Sequence, residues 1–193
     1  MLSITGDAEA DQLLSEDPLA LVIGMLLDQQ VPMERAFTAP NDLRHRLGAP
    51  LDATSIAAMD PDALVEVFRT RPSLHRYPAS MAARVQALCR VVADTYGNDA
   101  AAIWSSASSG EVLFDALRAL PGFGEQKTRI FIALLGKQLD VRPPGWEKAS
   151  APYSDAGSHR SVADIDSPAA LAKVREHKRQ MKAEARAKAS TNG

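Results

Sequence analysis

The residues best placed to do chemistry in this chain are Leu120-Pro121-Gly122-Phe123-Gly124 and the next four, Glu125-Gln126-Lys127-Thr128. Two glycines flanking one apolar residue make a tight turn, and a turn that opens a helix leaves the first backbone N–H groups without intrahelical acceptors. An anion can approach such amides closely because no side chain obstructs the path. Lys127 and Thr128 stand in the first helical turn beside those donors and would add a charge and a hydroxyl to the same anion, so the group reads as a grip for a phosphate. Alternatively, these are ordinary residues of an exposed first turn. The four histidines, His45, His75, His159 and His177, show no paired spacing for a metal. The single cysteine, Cys89, excludes an internal disulfide and a multi-cysteine metal site, and neither a metal nor a cofactor is expected.

Such a turn has to be held by helices on both sides, and helical signals run through almost the whole chain. Glu111 to Leu120 predicts the helix before the turn and Glu125 to Leu135 the helix after it. Asp17-Pro18 is an N-cap followed by a proline at the first helical position, and the apolar run from Leu19 to Leu27 is too dense for a surface helix, so it should form the central core helix. Pro32 and Pro40 punctuate the next stretch, with Asn41 opening a short segment that closes at Gly48. Asp60-Pro61 repeats the start signal, and Arg71-Pro72 stops that helix. Pro78 to Tyr96 carries Met81, Val85, Leu88, Val91 and Val92 at helical spacing before Gly97. No run shows sustained period-two alternation. The expected fold is all-α, a compact helical bundle.

Three regions are expected: a helical domain over residues 1–142, a Pro/Gly/Ser-rich loop over 143–165, and a basic C-terminal helix and tail over 166–193 opened by Asp166-Ser167-Pro168. Residues 172 to 189 hold seven basic side chains, Lys173, Arg175, Lys178, Arg179, Lys182, Arg186 and Lys188, against Glu176 and Glu184. That segment is +5 in a chain of formal charge −2, which leaves −7 for the rest. It could lie against a polyanion and add a salt-dependent attraction, or be a solvated helix with a frayed end.

An apolar helix ending Leu26-Leu27-Asp28-Gln29-Gln30, followed about ninety residues later by the Leu-Pro-Gly-Phe-Gly turn, resembles the helix-hairpin-helix (HhH-GPD) DNA glycosylase superfamily, the endonuclease III group. The likeness covers roughly residues 17 to 142. It implies a base-excision-repair protein whose hairpin, Leu120 to Gly124 with Gln126, Lys127 and Thr128, holds a DNA phosphate. Gln30 matches the glutamine that fills the gap left by an extruded base, where an amide offers both a donor and an acceptor; Gln29 or Gln30 could equally cap the helix end.

The resemblance also implies an aspartate about seven residues after the glycine that closes the hairpin helix; counted from Gly136 that place is Pro143, and the nearest carboxylate is Asp140. A carboxylate there would stabilise the positive charge that develops on the sugar. Asp140 could instead be a turn carboxylate or a partner for Arg142. Relatives that also cut the backbone carry a lysine two residues after the second hairpin glycine, where this chain has Gln126. Lys127 is one residue later, about 100° around the helix, so lyase activity is not expected unless the hairpin is one residue longer. The iron-sulfur cluster of many relatives needs four cysteines and is not expected.

The resemblance therefore implies a monofunctional DNA glycosylase acting on a damaged or mismatched base in double-stranded DNA, with Asp140 and Lys127 as the catalytic candidates. A non-catalytic DNA-binding relative and a helical protein-interaction module are the alternatives. With 193 residues, 46% of them hydrophobic, the chain can bury a sizeable core. It has no stretch of about 20 apolar residues and no leader-like start. The expectation is a monomer free of membranes, cytoplasmic and working at the bacterial nucleoid.

Overall fold

A computed structural model gives the fold. It describes the backbone of residues 1–191 and their side chains except those of 185, 186 and 188–191. Arg186 and Lys188 of the basic tail therefore lie outside the described side chains, and Asn192 and Gly193 outside the described residues. The elements are α1 (Ala8–Glu16), α2 (Pro18–Leu27), α3 (Met33–Leu47), α4 (Ala53–Ala58), α5 (Pro61–Arg69), α6 (Pro78–Tyr96), α7 (Ala102–Ser105), α8 (Gly110–Arg118), α9 (Glu125–Gln138), α10 (Trp146–Ser150), a 3-10 turn (Val162–Asp164) and α11 (Pro168–Thr191). Among the described residues there is no strand, and no helix is long and apolar enough to cross a membrane. The fold is all-α.

The centre of the bundle is α2. The Asp17 carboxylate caps it, accepting from the amides of Leu19 at 2.8 Å and Ala20 at 3.2 Å, and every residue from Leu19 to Leu27 is buried. A helix apolar on all sides is stable in water only when other helices surround it, and α1, α3 and α6 do so here. Phe37 of α3 packs against Gly24, where an added Cβ would stand 2.8 Å from Cδ1 of the ring. Cys89 is buried in α6, and burial pushes its thiol up to about 12.

One expectation from local sequence fails on tertiary grounds. Pro40 does not end a helix: α3 runs unbroken from Met33 to Leu47 with Pro40 buried inside it. An internal proline costs about 3 kcal/mol, but each fully buried large apolar side chain returns about 1.5–3 kcal/mol, and α3 buries Met33, Phe37 and Leu43. The segment 143–165, expected as a Pro/Gly/Ser-rich loop, also holds short helical turns. It contains α10 and the 3-10 turn, buries Trp146, Val162, Ala163 and Ile165, and is fastened along α9. There the Lys137 ammonium donates to the nearly inaccessible Asp164 carboxylate at 2.6 Å and the Gln138 amide to the carbonyl of Ala163 at 3.0 Å.

Candidate nucleic-acid interface

The turn between α8 and α9 is built on the end of α2. Gly122 has φ +79°, and a Cβ there would stand 2.3 Å from Cδ1 of Leu26, so both backbone conformation and packing require glycine. Leu120 and Phe123 are buried, and Phe123 meets Phe131 of α9 edge-on at 5.9 Å between ring centres. Arg118 donates to the carbonyl of Phe123 at 2.9 Å and holds the turn from below. Pro121 is half-buried at its rim.

Gly124 is different. Its φ of −82° suits any residue, and a Cβ there would meet nothing within 4 Å. Nothing in the protein itself demands glycine at this position. The space a side chain would fill lies before the start of α9, which has no side-chain cap and whose first described amide bond is the one from Thr128 to the Gly124 carbonyl at 2.9 Å. Open space over uncapped amides at the positive end of a helix is what a phosphate needs.

The other residues singled out from the sequence part company here. Thr128 is fully buried and its hydroxyl has no partner among the described residues, so it points away from any surface phosphate. Gln126 is exposed and donates to the Tyr153 hydroxyl at 3.0 Å. Lys127 does not turn out of reach: its ammonium donates to the Leu26 carbonyl at 2.7 Å, and it lines the same cleft as Gln126. Asp140 lies at the far end of α9 with φ +58°, its side chain 86% exposed and paired with Arg142 at 3.2 Å. Fourteen helical residues separate that end from the hairpin, about 21 Å along the axis. Asp140 is the turn carboxylate and Arg142 partner, and it shares no site with Lys127.

The cleft measures about 720 Å³ and lies between the end of α2, the start of α9, the segment from Pro152 to Val162, and α11. Asp28, Gln29 and Gln30 form one wall, and Tyr153 and Arg160 face them. Burial pushes the Asp28 carboxyl up, and the nearby Lys178 and Lys127 pull it back toward ionisation. Burial likewise brings the Lys127 ammonium down to about 8, against the pull of Asp28. The cleft thus contains an acid and an amine that are both poorly solvated and coupled to one another, an arrangement typical of reacting groups.

Gln29 and Gln30 divide their tasks. Arg84 donates to the Gln29 side-chain oxygen at 2.9 Å, and the Gln29 amide donates to the Leu26 carbonyl at 2.9 Å. His75 is buried, which lowers its pKa. Its Nδ1 accepts from the Tyr77 amide at 3.1 Å, so Nε2 carries the hydrogen and donates to the Gln29 carbonyl at 3.0 Å. Gln29 is the helix-end cap. Gln30 follows it in the left-handed region, φ +57°, and is exposed beside the cleft. A non-glycine residue there costs about 1–3 kcal/mol and marks a place worth explaining.

Sequence reading missed Asp28, Arg84 and His75 as site residues, because they join the site only through contacts between distant segments. The one signal in the sequence was Asp28 itself, a carboxylate at the end of an otherwise wholly apolar helix. No curated protein and no solved structure matches the chain. The family model of the HhH-GPD superfamily base excision DNA repair protein matches residues 23–188, from within α2 through the hairpin and into α11. The chain belongs to the HhH-GPD superfamily of base excision DNA repair proteins.

Proposed function

We propose that the protein is a DNA glycosylase that excises a damaged or mismatched base from double-stranded DNA. The observation that carries this reading is the convergence, at the end of α2, of an uncapped hairpin with open space at Gly124, an exposed Gln30, and a cleft holding Asp28 and Lys127. In this reading the α9 amides hold a backbone phosphate of the damaged strand. Gln30 enters the stack where the base has left and pairs with the orphaned partner, and the extruded base enters the cleft against Tyr153. As the glycosidic bond stretches, positive charge grows on the sugar, and Asp28 supplies the opposing negative charge in place of the carboxylate that Pro143 cannot provide. Lys127 keeps Asp28 ionised and binds a sugar or phosphate oxygen. The base departs with the bonding electron pair, a water molecule adds to the sugar carbon it leaves, and the proton that this water gives up ends on the nitrogen of the departed base.

A panel of duplexes carrying single uracil, oxidised, alkylated or mismatched bases tests this, with base release read after alkaline cleavage and binding read by fluorescence anisotropy. Release from one substrate class is expected, unchanged in Asp140→Asn and lost in Asp28→Asn with binding retained. Gly124→Val is expected to abolish binding with helicity intact. The distance of Asp140 from the cleft favours one second reading, a lesion-binding relative without turnover. Tight, lesion-selective binding with no release on the whole panel would establish that reading instead.

A further inference from the structure

Beside the cleft runs a second groove of about 950 Å³, between α11 and the segment from Gln30 to Glu34, with Arg76 on its far wall. The first turns of α11 bury Ala170, Leu171 and Val174 against the body. Continuing at helical spacing, the side of α11 that faces the groove changes character: Arg175, Lys178, Arg179 and Lys182 line it. Arg175 pairs with Glu34 and Arg179 with Glu176, whereas Arg76, Lys178 and Lys182 form no ion pair among the described residues. Five cations against two carboxylates leave a net positive groove. From Arg175 to Lys182 the helix rises about 10 Å, the length of about three nucleotide steps of one strand.

Gln30 and Lys178 line both the groove and the cleft, so they form the ridge between them. The hairpin and Lys127 are on one side of that ridge, and α11 and Arg76 on the other. We infer that the groove carries the sugar-phosphate backbone of the undamaged strand, while the hairpin holds the damaged one. This rests on the proposal that Gln30 enters the duplex; a residue that enters between base pairs has one strand on each side of it. The basic helix is then a second, strand-selective grip, which differs from a tail that adds diffuse attraction.

The test uses the full-length chain, the variant Arg179→Gln/Lys182→Gln, and two probes carrying the same lesion, a duplex and the damaged strand alone. Both substitutions are on exposed helical positions and leave the Arg175–Glu34 pair intact. On the duplex, the slope of log affinity against log salt should fall by about 1.8, which is two phosphate contacts, with about a sixtyfold greater loss of affinity near 0.1 M salt than at about 1 M. On the single strand, affinity should change by less than about twofold. An equal loss on both probes would overturn the strand assignment. Unchanged or tighter duplex binding would show that α11 covers the cleft or serves an acidic protein surface instead. Gly124→Val is the control, since it should lose both probes. If the wild-type chain itself binds neither probe, the glycosylase reading fails and this inference with it; if only the groove variant behaves as wild type, the inference alone fails.

Discussion

Lys127 occupies a position that a stability-minded sequence would not give to a lysine. Its ammonium is largely buried beside the Leu26 carbonyl, and desolvation brings its pKa down from 10.5 to about 8. The folded state therefore resists holding this proton. Between pH 8 and 10.5 the unfolded chain binds it and the folded chain does not, so this residue makes stability rise with pH through that window. Below pH 8 the full cost stands, of order 3 kcal/mol. Lys127→Met keeps the apolar stem, and the Leu26 carbonyl retains its bond from Gln29. In urea titrations the variant should be at least as stable as the wild type at about pH 7, and the wild type should gain on it between about pH 8 and 10. A variant less stable at every pH would make Lys127 simply the cap of α2. A lysine carried at a stability cost in a cleft fits the ligand-binding role that the proposed function gives Lys127.

At the scale of elements, α8, the helix that leads into the hairpin, packs at its start on the segment leading into α10. A Cβ on Gly110 would stand 2.6 Å from the carbonyl carbon and oxygen of Gly145, and the Gly110 amide donates to the Pro144 carbonyl at 2.8 Å. Backbone cannot move aside as a side chain can, so Gly110→Ala should cost about 1–3 kcal/mol and lower the melting temperature by several degrees in circular dichroism. Gly124→Ala should change stability by less than about 0.5 kcal/mol, because the space there is open. Equal melting shifts would mean that the two glycines are not kept for different reasons. Local sequence announced α2, α6, α8 and α9 because caps, prolines and apolar spacing act within a few residues. It misread Pro40 and did not show the short helical turns after 142, where the deciding energies come from Phe37 packing on Gly24 and from Asp164 meeting Lys137. The same divide runs through the site. The turn and Gln30 were visible as motifs. The coupling of Asp28 to Lys127 joins residues about a hundred positions apart, and the inward turn of Thr128 accompanies the packing of α9, through its Phe131, against Phe123 of the hairpin.

The whole molecule is acidic, at −2, yet it belongs to a family that repairs DNA, so its cations must act from one face. Arg76, Lys127, Lys178 and Lys182 border the cleft and its neighbouring groove at the C-terminal end of α2. Arg44 lies at the opposite end, beside Asp17, where it pairs with Glu9. The ten residues of α2 separate these ends by about 15 Å, more than the Debye length of about 10 Å at 0.1 M salt. Removing one charge at each end therefore distinguishes a directed surface from net charge alone. Arg76→Gln should lower the slope of log duplex affinity against log salt by about 0.9, whereas Arg44→Gln should leave it unaltered between about 0.1 and 0.3 M. At about 0.01 M, where screening extends to about 30 Å, both substitutions should weaken binding. Equal slope changes at about 0.1 M and above would mean that DNA does not settle on the cleft face, and the local field around Gln30 would then have no part in how an acidic protein approaches a polyanion.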